Sequence, residues 1–432
     1  MLKIKGGAMI IKAVQIGFVG LLTLSLSACG ADNQPMKSSE PDAAIKKISL
    51  EILNPKVEIS NEFEQMIREY EKENPSVSVN ILTFGGGANY LAEMKARFAA
   101  NNGPDIFPNG GYEDAIMWKR YLEDLSDQPW VKYAYDDALV PMKMDGKIYG
   151  MPFNYEGYGF IYNKDLFAKA GIDTVPKTFT ELKAAAEKLD ESGITPFVNG
   201  YSDTWFFVLL LNIAFAQQDN PDAFIQGLYD GTQTIEHNKK FENLTRMLDL
   251  TVQYGNKNYL TTDYNTEIEL FATGKAAILK QGNWVQFRID QITPNMNIGF
   301  LPMPINDDAR NDALPVGISN NWVVNKQSSP EKKKEAKKLL NWMVSSEQGK
   351  RFMKEKFKFI SAFKNIGTER SKPLVNDLMR YIDEEKTLSW NWFKFPQRAR
   401  EEFGLLMQAY VGKQLNREQL LHGLQKTWEN TE

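Results

Sequence analysis

The chain has 432 residues, 43% of them hydrophobic and 25% charged, which is the balance of an ordinary globular protein with material for a core. Its formal net charge of −4 gives no electrostatic support for a nucleic-acid or anionic-membrane role. One cysteine excludes an intramolecular disulfide, and two histidines far apart in sequence, His237 and His422, leave little from which to build a zinc site or a Ser-His-Asp hydrolase.

The first element is a leader. Lys3, Lys5 and Lys12 form a basic start, residues 13–26 an apolar stretch interrupted by Gln15, Gly17 and Gly20, and Leu26-Ser27-Ala28-Cys29-Gly30 closes it. The stretch is too short and too broken for a mature membrane span. Small residues ahead of the sole Cys are the layout of a bacterial lipoprotein signal. Residues 1–28 are therefore expected to be removed and Cys29 to carry lipid, with two or more acyl chains anchoring the protein to the outer face of the cell membrane. Met9-Ile10-Ile11-Lys12 also begins a plausible leader, so Met1 and Met9 both stand as starts. The chain beyond Ala28 has about 400 residues, enough for two lobes of ordinary domain size. Residues 29–47 are polar, Pro-containing and aperiodic, and read as a flexible tether.

Ordered structure is predicted from residue 48. Residues 48–53 alternate as a strand, and Asn61 caps a helix with Phe63, Met66, Ile67 and Tyr70 on its apolar face. Residues 77–82 form a second strand and residues 89–101 a second helix. Gly103-Pro104 then breaks the pattern before a short strand at 105–107. Strand, helix, strand, helix, strand implies βαβ units and a mainly parallel sheet, with ligands in the loops beyond the strands' carboxyl ends. Those loops are 54–58, 84–87 and 108–113. Residues 153–163 are aromatic and β-prone. Helices are predicted at 180–192, 205–217 and 241–254, strands at 276–281 and 297–301, and a long helix over 330–352. The lysines within 332–338 read as a solvated helix face. The remainder is helical, with Trp390-Asn391-Trp392-Phe393 ahead of Pro396. The triple glycine 85–87 lacks the Lys-Ser/Thr of a phosphate loop.

Met151-Pro152-Phe153-Asn154-Tyr155-Glu156-Gly157-Tyr158-Gly159-Phe160-Ile161-Tyr162-Asn163 resembles the hinge segment of extracellular solute-binding proteins of sugar ABC importers, the maltodextrin- and multiple-sugar-binding types. Gly103-Pro104-Asp105-Ile106-Phe107, then Phe271-Ala272-Thr273-Gly274-Lys275-Ala276-Ala277 with Gly282-Asn283-Trp284, then Gly299-Phe300-Leu301-Pro302-Met303-Pro304, then the segment 329–349 are similar to further landmarks of that family, in the same order. The resemblance implies an α/β fold: a two-lobed, periplasmic-binding-protein-like clamp of type II. Each lobe would hold a mainly parallel sheet flanked by helices, with the ligand in the cleft between lobes. On that basis 48–153 and 310–349 are expected in the N-lobe, and 154–309 and 350–432 in the C-lobe. The crossings are expected near Phe153, within 303–312 and after the 330–352 helix. A monomer without cofactor, catalytic residues or metal is expected, which binds a sugar and delivers it to membrane permease subunits.

Sugars present hydroxyl edges and flat patches of C–H, so their pockets combine aromatic rings with convergent polar groups. The resemblance makes Trp284 the first candidate, since the matching Trp of relatives stacks on a sugar ring. Asn283 stands beside it. Glu156 matches a sugar-contacting Glu, with Asn154 in the same hinge segment. Trp205 begins a helix that faces the cleft in the family, and Asp203 either contacts ligand or caps that helix. Trp390 and Trp392 fall where relatives carry a late stacking aromatic, one expected in the cleft and one in the core. Asn109 and Tyr112 fill a strand-end loop where relatives have Trp and charged residues. Asn320 and Trp322 follow Gly317 in another cleft loop. A binding protein for a non-sugar solute and an extracellular glycoside hydrolase with two carboxylates remain the alternatives.

Overall fold

The computed structural model describes residues 47–85 and 90–430. The leader, Cys29, nearly all of the tether and Gly86-Gly87 lie outside them. The strands in chain order are β1 (Ile48–Asn54), β2 (Val77–Thr83), β3 (Ile106–Asn109), β4 (Lys143–Met144), β5 (Lys147–Ile148), β6 (Met151–Pro152) and β7 (Tyr155–Asn163), followed by β8 (Phe197–Val198), β9 (Ile278–Gly282), β10 (Ile298–Leu301), β11 (Leu314–Ile318), β12 (Asn321–Val324) and β13 (Thr387–Leu388). They form two main sheets, β2-β1-β3-β12-β6 and β13-β11-β7-β9-β8, with β10 also on β7; β4 and β5 make a separate ribbon.

The first sheet follows from the βαβ pattern. β1 runs parallel to β2 and to β3, because the helices Ser60–Glu73 and Tyr90–Ala99 carry the chain back across the sheet. Side chains of β1 alternate between two cores. Leu50 and Ile52 pack with Phe63, Met66 and Leu339 on one face, and Leu53 packs with Met94, Phe98 and Phe107 on the other. β12 enters antiparallel between β3 and β6.

The second sheet departs from the mainly parallel arrangement expected. β7 is antiparallel to β9, β10 and β11. The reason lies in the connection between lobes. β7 leaves the crossing at 153–154 and β11 runs back to the crossing at 319–320, so these neighbours point in opposite directions. Tyr158 and Phe160 of β7 pack with helix Trp205–Ala216 in one core, while Ile161 joins Phe271, Val285 and Leu378 on the opposite face.

Two expected lobe boundaries move. Residues 314–318 belong with the second sheet, since β11 pairs with β7; the second crossing therefore falls at 319–320 and not within 303–312. Residues beyond 349 stay largely with the first lobe: Phe352, Met353, Phe357, Phe363 and Ile366 pack in its core, Ile360 reaches across to β7 of the second, and the chain enters the second core for good at Leu374. The long helix expected over 330–352 also breaks. Helix Pro330–Ser345 ends at Ser346, whose side chain accepts from Gly349 N–H at 2.9 Å and starts helix Glu347–Arg351. Asn61 lies inside helix Ser60–Glu73 and does not cap it.

A candidate ligand cleft between the lobes

A cavity of about 500 Å³ lies between the two lobes. The first lobe supplies its side from the strand-end loops. After β1 the chain turns at Asn54, whose side chain donates to Lys56 O at 3.0 Å and accepts from Lys56 N–H at 3.1 Å. That turn places Lys56 and Glu58 on the cavity wall. After β3, Asn109 accepts from Gly111 N–H at 2.8 Å and donates to Asp114 O at 3.3 Å, which sets Asp114 on the wall. A Cβ at Gly110 would stand 2.2 Å from the Phe393 ring of the second lobe, so this close approach requires glycine.

The second lobe supplies a row of indoles. Trp284 is the second residue after β9 and is half-buried; a Cβ on Gly282 would lie 2.0 Å from its six-membered ring, so the ring lies over bare backbone. Trp205 is the first residue of its helix, with its ring centroid 6.5 Å from that of Trp284 and 6.1 Å from Tyr264. Trp390 meets Tyr158 edge-on at 5.4 Å, and Trp392 stacks on Phe393 at 3.9 Å. Among the described residues, the buried indole N–H groups of Trp205, Trp390 and Trp392 have no acceptor and the buried Asn320 Oδ1 has no donor.

Charged and polar contacts tie the lobes across the cavity. Lys56 pairs with Glu156 at the start of β7, with side chains only 11% and 8% exposed. Tyr264 Oη donates to Glu58 Oε1 at 2.8 Å. Arg400, on helix Gln397–Val411, pairs with Asp114 and lies 5.6 Å from the centre of the Phe393 ring. Burial raises the Glu58 carboxyl above its ordinary value, and the Lys56 charge opposes that rise. Burial likewise raises Asp203.

Of the residues singled out in the sequence, Glu156, Asp203, Trp205, Trp284, Asn320, Trp390 and Trp392 line this cavity. Asp203 does not cap the Trp205 helix. Its Oδ2 accepts from Tyr264 N–H at 2.7 Å, and the cap position is Thr204, whose side chain makes no capping bond. Trp390 is 8% exposed and packs over Gly317, so it is both wall and core.

Five candidates lie elsewhere. Asn154 is 1% exposed; it donates to Tyr155 O and Glu156 Oε1 and accepts from Ser319 Oγ at 3.1 Å, joining the two crossing segments. Asn283 accepts from Gly157 N–H at 3.0 Å. Both face a small crevice behind Glu156 and Trp284 instead of the main cavity. Asn109 is spent on its own loop. Tyr112 sits under the Lys394 ammonium at 5.2 Å, away from the cavity lining. Trp322 is a core residue, stacked between Phe63 at 5.5 Å and Phe153 at 3.9 Å; β12 has a core on each face, with Trp322 and Val324 in one and Val323 in the other.

Lys56, Glu58, Asp114, Tyr264 and Arg400 were not among the candidates. The first two lie in the 54–58 loop that the strand order marks, and Asp114 just beyond the 108–113 loop. Tyr264 and Arg400 sit on helices whose sequence gives no sign of which face meets the cleft.

The model of the bacterial extracellular solute-binding protein family matches residues 56–350. The multiple sugar-binding protein of Streptococcus mutans is 24% identical over 344 residues, which span 77% of this chain and 78% of that protein. The melibiose/raffinose/stachyose-binding protein of Bacillus subtilis is 26% identical over 340 residues, 76% of each chain. A solved chitin oligosaccharide binding protein superposes with a TM-score of 0.78 at 24% identity, covering 89% of this chain and 99% of its own, which establishes the shared fold. With more than half of its length matched by the family model, the chain belongs to the bacterial extracellular solute-binding proteins.

Proposed function

We propose that this protein is the extracytoplasmic binding subunit of an ABC importer, and that it captures an oligosaccharide in the interlobe cleft for delivery to the membrane permease. The observation that carries this reading is the make-up of the cavity wall: Trp205, Trp284, Trp390 and Trp392 flanked by Glu156, Glu58, Lys56, Asp114 and Arg400. Indole faces suit the C–H patches of sugar rings, and paired charges at the margins suit hydroxyls, each of which both donates and accepts. The ligands for which the relatives are named, melibiose, raffinose, stachyose and chitin oligosaccharides, support the same class. The relatives are named as binding proteins, which supports capture of a ligand over glycosidic chemistry.

A thermal-shift screen against raffinose, stachyose, melibiose and chitin oligosaccharides, with peptides, amino compounds and anions alongside, tests the reading. A sugar that binds only the folded chain stabilises it by about 2.7 kcal/mol at a hundredfold excess over Kd. The sugar should be recovered unhydrolysed. A shift with a peptide or an anion and with none of the sugars would overturn the ligand class.

The lipid anchor belongs to the same proposal. Cys29 after Leu26-Ser27-Ala28 supports diacylation at the outer membrane face. Cys29→Ser should move the protein from the membrane fraction to the soluble one. If it stays with the membrane, the anchor lies elsewhere.

A further inference from the structure

Trp284 is held from behind by a buried polar chain that does not line the cavity. Its indole N–H donates to Gln281 Oε1 at 3.1 Å, and Gln281 Nε2 donates to Glu267 Oε1 at 2.6 Å. Gln281 is 1% exposed and Glu267 4%. Gln281 lies in β9, fixed in register opposite Gly159 of β7, and Glu267 lies on helix Tyr264–Ala272. The neighbouring Lys280 is also buried. Its ammonium donates to Asn199 Oδ1 and to Val198 O at 3.3 Å, and lies 4.9 Å from the Tyr201 ring centre.

Such a group of buried charges is an expensive way to fill an interior; apolar residues of similar volume would serve stability as well or better. What the group achieves is orientation. A glutamine amide has two ends of nearly the same shape, one donating and one accepting. An ionised carboxylate only accepts, so Glu267 draws the NH2 end of Gln281 and leaves its carbonyl for the indole N–H of Trp284. The ring face rests on the Gly282 backbone at the same time. Burial raises the Glu267 carboxyl and lowers the Lys280 ammonium, and the attraction between the two charges opposes both shifts.

We propose that Gln281 and Glu267 are positioning residues for Trp284, fixing the angle at which its ring is offered to the ligand. This rests on the reading of Trp284 as the ring on which sugar stacks. The test uses the purified protein with 15N-labelled tryptophan. The Trp284 indole N–H signal is identified by its loss in Trp284→Phe. In Gln281→Met that signal should shift and its exchange with water should speed up about tenfold as the acceptor is lost; in Glu267→Gln, whose amide can meet either end of Gln281, the signal should shift as the Gln281 amide is no longer held one way round. The affinity for the sugar giving the largest thermal shift should fall about fivefold, close to 1 kcal/mol. In the Trp284→Phe background, Gln281→Met should cost nothing further in affinity.

An unchanged indole signal in both variants would overturn the proposal. So would an affinity loss that persists undiminished in the Trp284→Phe background, since Gln281 would then act on the fold at large. Gln281→Met keeps the test open should Glu267→Gln fail to fold. If Trp284→Ala leaves sugar affinity intact, the reading of the site fails, while the indole signal still decides whether the chain sets the ring.

Discussion

Trp284→Ala is expected to weaken sugar binding about 100-fold, close to 2.7 kcal/mol, and to cost the ligand-free protein about 1–3 kcal/mol of stability, since the buried Gln281 carbonyl loses its donor. The two halves of this expectation have different physical origins. The ring is half-buried, lies over the backbone of Gly282 and borders both cores of the second lobe, so truncating it opens space at the cleft and at their edge. Binding loses the stacking surface and the exclusion of water that it provides, the loss that makes buried aromatic anchors dominant in recognition. Trp284→Phe should retain a flat face and lose only part of the affinity. Trp322→Ala is the matched control. That indole lies between Phe63 and Phe153 in the first lobe's core, and its removal should cost about 3–5 kcal/mol of stability while the folded fraction keeps its affinity. Calorimetric titration of the three variants with the same sugar, together with their melting curves, separates the roles. Equal affinity in Trp284→Ala and the parent would remove Trp284 from the site.

How much of this was legible in the sequence depends on how far apart the causes lie. The first sheet was, because β1, β2, β3 and their helices are local repeats of one pattern, and the loops at the strand ends then point to Lys56 and Glu58. The second sheet was legible as strands but not as directions. β7 and β11 are brought together by the double crossing between lobes, a pairing of residues about 160 positions apart that no local periodicity encodes. Trp322 misled because Asn320-Asn321-Trp322 reads as a polar loop. In the fold, Asn321 is buried with its amide donating to Asn109 O, and Trp322 faces inward beside it. Arg400 was invisible for a different reason: its helix is amphipathic, and an arginine on the margin of an amphipathic face has no signature until a partner on the other lobe is known.

That partner, Asp114, gives the second large effect. Asp114→Ala should shift the ligand-free protein towards an open arrangement and weaken sugar binding about thirtyfold, close to 2 kcal/mol. Both side chains of the pair are largely buried, 11% and 14% exposed, so removing one partner leaves a desolvated charge in the closed form. Opening the cleft hydrates Arg400 and relieves that penalty, which is the asymmetry expected when one half of a buried pair is deleted. The other ion pair across the cleft, Lys56–Glu156, lies beside the crossing strands, where Asn154 holds Glu156, and should change the opening less. The indole N–H groups of Trp205, Trp390 and Trp392 are buried with no acceptor among the described residues, at about 1–3 kcal/mol for each unmet donor. Sugar oxygens reaching those donors would remove that cost. Small-angle scattering with and without saturating sugar reads the effect. Asp114→Ala should show a larger radius of gyration alone and the parental value with sugar. Asp114→Asn combined with Arg400→Gln should recover much of the lost affinity, because no charge is then stranded. An unchanged radius and affinity in Asp114→Ala would mean that the pair is incidental to closure. An equal loss in the double variant would mean that the attraction itself, and not the stranded charge, holds the lobes together.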